Sequence, residues 1–271
     1  MLLKHGLAGL VKGADNQSGL ANRSLFTWEN IGDGIGIGAN RANLDAYHSD
    51  ITFSQVGADV NVDTSVEPYT GQGYTASLWH NYSIGINDRG ILQDGGAAAV
   101  PDRLKLADAT EWTIEWYGYI GSSSRFNAVI GVWDGGPADY TWVAGVDGSE
   151  DLAFYYNTSG GLSFLNDGTT VSGWAHYAIC LSGGNLQMWQ NGFRTYNSAF
   201  TAMVADGGAL ALASHANGVG AVTQTWYPTV SSTPRLGPIH VWKGNAKYDG
   251  ATITPDFPEN PNSWDITAGD G

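Results

Sequence analysis

Residues 173–194, GWAHYAICLSGGNLQMWQNGFR, contain the pattern that decides the fold. Two apolar runs, residues 173–181 and 186–190, are separated by Ser-Gly-Gly-Asn, and the second run ends at Asn191-Gly192. Asn-Gly is a strong hairpin signal because both central residues of a type I′ turn need a positive φ. The stretch therefore predicts a strand, a tight turn, a second strand and a hairpin into a third strand.

The composition of the whole chain suits many short strands. The 271 residues include 38 Gly and 11 Trp, and only 14% are charged. Gly and aromatic residues are poor helix formers, whereas aromatic residues are enriched in strands. Apolar runs bounded by turn residues recur at residues 112–120, 129–133, 140–146, 152–156 and 236–242. Short strands at this spacing indicate an antiparallel sandwich or barrel.

Local patterns add predictions that the structure can check. Residues 51–62 alternate at period two, which predicts a half-buried strand or a hairpin, and residues 104–106 predict a further strand. Gly-containing signals at residues 134–137, 147–148 and 166–168 predict turns between strands. In the run that begins at Trp112, alternate residues share a face, so Glu115 is expected on the face opposite Trp116.

Charge and cysteine usage limit the partners and the compartment. The net charge is −14 and the sequence pI is near 4.5, so phosphate backbones and anionic membranes are repelled and neither nucleic acid nor membrane is expected as a partner. Cys180 is the only cysteine, which excludes an intrachain disulfide, and its apolar neighbours predict a buried, inert thiol. Lys4 and Gly6 interrupt the first apolar residues, so no signal peptide and synthesis in a cytoplasm are expected.

The N-terminal residues predict an attachment segment. Leu3, Leu7, Leu10 and Val11 fall at helical spacing and indicate one short amphipathic helix. This helix could dock on a neighbouring protein, form a swapped arm, or pack passively on its own domain. Docking is the preferred interpretation, because few residues here could support a separate core.

Three motifs resemble the laminin G-like, concanavalin A-like lectin-glucanase jelly rolls. Residues 173–191 resemble the central W-x-H-x-A … Y-x-N-G hairpin, and residues 112–116 are similar to the F-T-I-E-x-W strand. Residues 239–248, with Pro255-Asp256-Phe257-Pro258, resemble the closing element in the version common in structural proteins of tailed bacteriophages.

The resemblance implies an all-β fold, an antiparallel two-sheet jelly-roll sandwich with a short N-terminal extension. Such sandwiches pack two curved sheets face to face and shield most of their edges. The expected division is an attachment arm or extension in residues 1–60, the jelly roll in residues 61–260, and a tail in residues 261–271.

Catalysis is not expected from this sequence. The resembling family includes retaining glucanases, which carry an E-x-D-x-x-E strand, and glycoside cleavage needs two carboxyl groups across the scissile bond. That pattern does not occur in the chain, and Glu115 lacks a carboxylate two residues away. A glycoside hydrolase is therefore the least favoured interpretation, and no catalytic residue is assigned.

No metal site is assigned, although a calcium site stays open as an alternative. Lectin-like relatives implied by the resemblance often hold Ca²⁺ through loop oxygens, which suit a hard cation. Turn chemistry explains the same residues without a metal, and the six His show no zinc-binding spacing. The residues considered for calcium are Asp134, Asp139, Asp147, Asp151, Asn166 and Asp167.

Carbohydrate binding would need exposed aromatic faces beside polar groups. Seven aromatic residues are candidates: Trp133, Tyr140, Trp142, Tyr155, Tyr156, Trp226 and Tyr227. Packing in the core is the competing interpretation for all of them. The predicted binding residues are those nearest to loop-like sequence: Trp133, Asp134, Tyr140, Trp226 and Tyr227.

Together these patterns favour a non-enzymatic structural protein of a bacteriophage virion, such as a capsid decoration protein or a component of the head or tail surface. The expected partners are other virion proteins, with the chain itself as a further candidate in a homo-oligomer, and the expected location is the virion surface. The alternative is a lectin module that binds host-surface glycan.

Overall fold

The computed structural model describes thirteen segments of the chain: residues 26–28, 53–56, 60–63, 77–80, 90–93, 104–120, 126–133, 140–171, 173–204, 208–212, 214–216, 222–225 and 235–254. The attachment residues proposed from the sequence lie outside these segments, namely Leu3, Leu7, Leu10 and Val11. In the described segments no helix is long and apolar enough to cross a membrane.

The described residues form seventeen strands and one 3-10 turn, Leu106–Asp108. The strands are β1 Phe26–Trp28, β2 Phe53–Val56, β3 Val60–Asp63, β4 Ser77–His80, β5 Gly90–Gln93, β6 Trp112–Ile120, β7 Asn127–Trp133, β8 Tyr140–Val146, β9 Asp151–Thr158, β10 Gly161–Thr170, β11 Gly173–Ser182, β12 Asn185–Gln190, β13 Phe193–Ala199, β14 Ala209–Leu212, β15 Ser214–Ala216, β16 Val222–Thr225 and β17 Arg235–Lys243.

Two large antiparallel sheets contain most of these strands. The eight-stranded sheet has the order β13-β12-β11-β6-β17-β4-β3, and β1 also pairs with β17. The seven-stranded sheet has the order β10-β9-β8-β7-β14-β5-β2, and β15 pairs with β16 in a small third sheet. This arrangement confirms the predicted antiparallel two-sheet jelly-roll sandwich.

The core lies between the two large sheets. The alternation in β6 directs Trp112, Ile114 and Trp116 into it, as the sequence predicts. From the opposite sheet Phe154 packs on Trp112, with 5.3 Å between the ring centroids. Burial of apolar side chains of this size contributes about 1.5–3 kcal/mol each, so this layer is a major source of stability.

The hairpins predicted in residues 173–194 are present. Strand β11 pairs with β12, and β12 pairs with β13. Gly183 and Gly184 have φ values of +55° and +77°, and Asn191 and Gly192 have φ values of +49° and +83°. Positive φ at both central residues is the geometry of a type I′ turn, which explains why each turn is made of Gly or Asn.

Three local predictions were wrong in detail. Residues 51–62 do not form a hairpin, because β2 pairs with β5 and β3 pairs with β4 in the other large sheet. Residues 104–106 do not form a strand, and Leu106 begins the 3-10 turn. Residues 166–168 do not end a strand, because β10 continues through them with a bulge between Asn166 and Thr170. A bulge needs the same turn-type residues as a loop, which explains the error.

Asp167 joins the two large sheets at one edge of the sandwich. Its Oδ2 accepts hydrogen bonds from Gln190 Nε2 and Thr195 Oγ1, each at 2.6 Å. Asp167 belongs to β10, whereas these donors belong to β12 and β13. Burial raises the pKa of Asp167, and hydrogen bonds from Thr195 and Gln190 partly oppose that rise.

The division of the chain at residue 60 stays a prediction. Two strands that precede it, β1 and β2, nevertheless pair with strands of the two large sheets. Some of the predicted extension therefore adds to the sandwich itself.

Candidate functional site

A segment that we call the strap, residues 244–254, crosses the outer face of the eight-stranded sheet. It starts at Gly244, whose φ of +78° favours glycine and whose N–H donates to the Glu111 carbonyl at 2.7 Å. The Thr113 hydroxyl donates to the Asn245 carbonyl at 3.0 Å and accepts from the Lys247 N–H at 2.9 Å. The first half of the strap is thereby fixed to the start of β6.

The far end of the strap is fixed to the β12–β13 hairpin. The Ile253 N–H donates to the Gly192 carbonyl at 2.7 Å, and the Arg194 N–H donates to the Ala251 carbonyl at 2.8 Å. Between the two anchors, apolar strap residues cover side chains that point outward from the sheet. This small cluster contains Ala178, Cys180, Trp189 and Tyr248, with Ala246 and Ile253 packed against it.

Beneath the strap lies a cluster of charged and polar groups, which we call the Glu115 network. The Glu115 carboxylate is fully buried, with 0% of its surface exposed. His176 Nε2 lies 3.0 Å from Oε2, and His240 Nδ1 lies 3.2 Å from Oε1. The strap adds the Lys247 ammonium, 3.2 Å from Oε1, and the Tyr248 hydroxyl, which donates to Oε2.

Each member of the network occupies its place because of strand alternation. Glu115 points away from the core face of β6, as the sequence predicts. His176 and His240 come from β11 and β17, the two strands that pair with β6 on either side. In the register, Glu115 lies opposite Ala178 on β11 and opposite His240 on β17.

The network favours the ionised form of Glu115. Burial opposes ionisation, but the Lys247 ammonium and the hydrogen bonds with His176 and His240 outweigh it and hold the pKa of Glu115 well below its usual value. A buried charge is tolerated when its hydrogen-bonding capacity is filled in this way. The network therefore fixes the strap to β6 through the contacts of Lys247 and Tyr248 with Glu115.

The buried thiol lies beside the network. Cys180 Sγ is 2.9 Å from Thr113 Oγ1, and burial raises the pKa of the thiol to about 11. A thiol with so little thiolate is a poor nucleophile near neutral pH. This confirms the prediction that Cys180 is a buried residue.

The outer face of the seven-stranded sheet is different at its β9–β10 edge. Phe154 and Tyr156 point into the core, so Tyr155 between them points outward. The register places Phe164 opposite Tyr155, and hence on the same outer face. Leu162, two residues earlier on β10, shares that face by strand alternation.

These side chains form what we call the aromatic stripe: Phe126, Tyr155, Phe164 and Leu162. The ring centroids of Phe126 and Tyr155 lie 4.6 Å apart, and those of Tyr155 and Phe164 lie 4.4 Å apart. Phe164 is 42% exposed and Leu162 is 49% exposed. Phe126 and Tyr155 are half-buried and pack against the cluster that contains Trp133 and Val143. The exposed part of the stripe is therefore Phe164 with Leu162, and adjacent exposed apolar side chains can mark a binding site.

A polar end adjoins the aromatic stripe where β8 turns into β9. Asp147 Oδ1 accepts from the N–H groups of Ser149 and Asp151 at 2.8 and 3.1 Å, which is ordinary turn chemistry. Asp147 Oδ2 accepts from Asn166 Nδ2 at 2.9 Å. Burial raises the pKa of Tyr155, and the Asp147 carboxylate raises it further. Asp147 therefore interacts electrostatically with Tyr155 of the stripe.

The calcium candidates have other roles where the structure describes them. Asp147 fixes a turn, Asp167 joins the sheets, and Asp151 Oδ1 accepts from the Thr170 hydroxyl at 3.2 Å. The described residues contain no group of three or more His, Cys, Asp or Glu side chains placed to hold a metal ion. Asp134 and Asp139 lie outside the described residues.

The structure places the predicted sugar-binding residues unevenly. Trp133 is 0% exposed and packs with Ala128, Val143 and Ala211, so the expectation that it is among the least core-like aromatic residues was wrong. Tyr140 begins β8, where only the backbone is described. Three others lie outside the described residues, namely Asp134, Trp226 and Tyr227.

Sequence reasoning missed most of the aromatic stripe. Tyr155 was among the candidates considered, but Phe126, Phe164 and Leu162 were not. The alternation of Leu162 and Phe164 after the Gly160-Gly161 turn was the available signal. That signal does not reveal which face of the strand the other sheet covers.

The two packed antiparallel sheets define a class of fold, the jelly-roll sandwich. No family model matches the sequence, and no curated protein matches it either.

Solved structures show the same class. The chain is similar to botulinum neurotoxin type C, whose cell entry depends on interaction with two ganglioside molecules. The identity is 10% and the TM-score is 0.52, over 86% of this chain and 50% of that chain. It is also similar to the botulinum neurotoxin serotype D binding domain, with 10% identity and a TM-score of 0.50 over 84% of this chain and 49% of that one. The chain thus spans about half of each of these proteins.

A weaker likeness is to the Ruminococcus gnavus IT-sialidase CBM40 bound to α2,6 sialyllactose. The identity is 13% and the TM-score is 0.44, over 60% of this chain and 89% of that chain.

Proposed function

We propose that this protein is a non-enzymatic carbohydrate-binding protein that holds a glycan against the aromatic stripe. The observation that carries the proposal is the row of three rings, 4.4–4.6 Å apart, that ends in the exposed Phe164. The C–H face of a sugar ring packs on aromatic faces, while its hydroxyl groups need polar partners nearby. The half-buried Asn166, which Asp147 holds in place, provides such a partner beside the stripe.

The comparison with botulinum neurotoxin type C supports the proposal at the level of fold. That protein shares the sandwich and interacts with gangliosides. A shared fold does not imply a shared function, so the argument depends on the site. A host-surface glycan is the partner that fits both the shared fold and the aromatic stripe.

Binding without catalysis is the second part of the proposal. A general acid or nucleophile must come within hydrogen-bond reach of the reacting bond. Glu115, the acid considered in the sequence, is fully buried and engaged by His176, His240 and Tyr248 beneath the strap. Its geometry suits a structural ion cluster better than a hydrolytic site.

A glycan array followed by calorimetric titration tests the proposal. Phe164→Ala is expected to weaken binding at least about tenfold, which corresponds to about 1.4 kcal/mol of lost binding free energy. Phe193→Ala is the matched control, because Phe193 is 64% exposed but lies on the hairpin of the other sheet. Glycan affinity that is unchanged in Phe164→Ala would contradict the proposal. The absence of any glycan ligand on the array would also contradict it.

We also propose display on a bacteriophage virion as a second candidate function. The proposal rests on the resemblance of residues 239–248 to the closing element common in structural proteins of tailed bacteriophages. In the structure this element supplies Lys247 and Tyr248 to the Glu115 network. In this proposal the N-terminal residues attach the chain to other virion proteins. Cosedimentation with purified capsids that is lost on deletion of residues 1–24 would support it. Cosedimentation that is unchanged by the deletion would contradict the attachment role.

A further inference from the structure

Each of the two large sheets ends in an edge strand on the same side of the sandwich, β13 in one sheet and β10 in the other. The edge of β13 is covered at its start. There the Arg194 N–H donates to the Ala251 carbonyl of the strap, and Phe193 forms a β-bridge with the strap as well. In the part of the chain that the structure describes, β10 pairs with β9 alone, and none of its ten residues is buried. The far side of β10 is therefore open to solvent.

The first half of β10 turns backbone hydrogen-bonding groups toward this open side. The Asn157 carbonyl of β9, opposite Leu162, accepts from the Val204 N–H at 2.9 Å and so is directed away from β10. Hydrogen-bonded and non-hydrogen-bonded pairs alternate along an antiparallel ladder. Leu162, Phe164 and Asn166 therefore direct their own N–H and C=O groups away from β9. Such a row of groups is a template on which another strand can add.

The sequence of this half-strand lacks the usual protection of a sheet edge. Natural edges are blunted by Lys, Pro, bulges or inward-pointing charges. Residues 161–166, GLSFLN, contain no charged residue and no proline. The bulge between Asn166 and Thr170 and the engaged carboxylate of Asp167 lie only in the second half of β10. An unprotected segment of six residues remains.

A second copy of the chain fits this segment by symmetry. Antiparallel pairing about a two-fold axis at Ser163 places Leu162 of each copy opposite Phe164 of the other. This register matches residues whose backbone groups face the open side with each other. Leu162 is 49% exposed and Phe164 is 42% exposed, so both gain an apolar cross-strand neighbour. Pairs of this kind stabilise antiparallel strands.

The charge of the chain also favours this segment for self-association. Two copies with a net charge of −14 repel each other, so they can meet only where acidic groups are distant. Asp167, the acid of β10, is four residues from Ser163, which is about 13 Å along a strand. Its Oδ2 atom is engaged by Gln190 and Thr195 of the other sheet. The distance exceeds the screening length of about 8 Å at physiological salt.

We propose that two copies of this chain form a dimer by pairing residues 161–165 of β10 edge to edge, which joins their seven-stranded sheets. The interface is isologous and uses up the open edge, so association ends at the dimer. Because the paired segment is short and the interface lies below the standard size, we expect a Kd on the order of 10 μM. Edge pairing leaves the outer face of the sheet uncovered, so the dimer does not depend on the proposed glycan site.

Sedimentation velocity of the full chain tests the association. We expect a monomer at about 1 μM and mainly a dimer at about 100 μM, on either side of the expected Kd. Leu162→Asp should weaken the association at least about tenfold, because it places a carboxylate against an apolar ring in the interface. Phe193→Asp is the matched control, because Phe193 is 64% exposed on β13 and lies outside the paired segment. A monomer at all concentrations, or equal association of Leu162→Asp and the wild-type protein, would overturn the proposal.

Ser163→Cys tests the register. Residues on the axis form a non-hydrogen-bonded pair with Cα atoms about 4.5 Å apart, which a disulfide can bridge. With oxidised glutathione as the electron acceptor, this variant should form a covalent dimer. Ser198→Cys on the exposed part of β13 is the control and should not, and the native Cys180 is buried. Equal covalent dimer in both variants, or none in Ser163→Cys, would overturn the interface. A glycan array tests the proposed function separately, so either proposal can fail alone.

Discussion

The two outer faces of the sandwich use side chains in opposite ways. On the eight-stranded sheet the strap covers a carboxylate and two imidazoles and adds an ammonium group to them. On the β9–β10 edge of the seven-stranded sheet, Phe164 and Leu162 remain exposed. Exposed single hydrophobic residues are common, but buried charges and adjacent exposed apolar side chains both call for an explanation. The difference agrees with a division in which one face serves stability and the other, as we propose, serves binding.

The largest change is expected from Glu115→Gln. Loss of the charge would leave Lys247, His176 and His240 facing a neutral amide in a buried site, which lowers the free energy of unfolding by about 3 kcal/mol or more. Urea denaturation followed by tryptophan fluorescence measures this. Glu111→Gln is the matched control, because Glu111 is exposed and its substitution is expected to change stability by less than about 0.5 kcal/mol. Equal losses in both variants would contradict a special role for the network.

Tyr248→Phe is expected to have the next largest effect. It removes a hydrogen bond to a buried carboxylate, which lowers the free energy of unfolding by about 2 kcal/mol. The single cysteine offers a second measurement, since Cys180 lies under the strap and should react faster with a thiol reagent when the strap loosens. Tyr155→Phe removes the same hydroxyl on the other outer face and should leave the reactivity of Cys180 unchanged. Similar reactivity in both variants would show that Tyr248 does not hold the strap.

The pH dependence of stability should also differ between Glu115 and the carboxylates of the β9–β10 region. The pKa of Glu115 in the folded protein lies well below the ordinary value of 4.5, so its stabilising contribution is present above that pH and is lost as the pH falls further. Asp151 and Asp167 have raised pKa values, so the folded protein binds their protons first and gains stability as the pH falls through those values.

Comparison of the wild-type protein with Glu115→Gln isolates the first contribution. The difference in unfolding free energy between them should fall by at most about 1.4 kcal/mol per pH unit in the acid range. Chemical denaturation at a series of pH values measures it. A difference that stays constant down to about pH 3 would contradict the ionised state of Glu115.

The smallest change in stability is expected from Phe164→Ala. Because Phe164 is 42% exposed, its truncation should lower the unfolding free energy by less than about 1 kcal/mol, and Phe193→Ala should behave alike. Thermal denaturation of both variants measures this. A loss as large as that of Tyr248→Phe would mean that the aromatic stripe is part of the core, and the contrast between the two faces would disappear.

The parts of the fold that local sequence determines could be predicted. Positive φ at Asn191 and Gly192 follows from the residues themselves, and so does the alternation that sends Trp112 inward and Glu115 outward. The bulge at Asn166 was mistaken for a turn, because turn residues are compatible with both.

The site depends on contacts between distant parts of the chain, and these could not be predicted. Glu115 was described from the sequence as an isolated acid, yet Lys247 and Tyr248 reach it from 132 and 133 residues away. The burial of Trp133 likewise depends on strands such as β14, which contributes Ala211 to the same cluster. A periodic pattern assigns residues to faces, but it does not tell which face another segment will cover.

The strap has a consequence for the order of events during synthesis. Glu115 is made early, whereas its partners His176, His240 and Tyr248 follow in that order along the chain. The sheet can pair β6 with β11 before β17 exists, but the carboxylate then remains exposed to water. Contacts of such long sequence separation form slowly, because the chain loses the entropy of closing a long loop before the contacts can stabilise it. The nascent chain therefore cannot complete the Glu115 network until residue 248 has left the ribosome, and a chain that ends earlier lacks the Tyr248 hydroxyl that donates to the carboxylate.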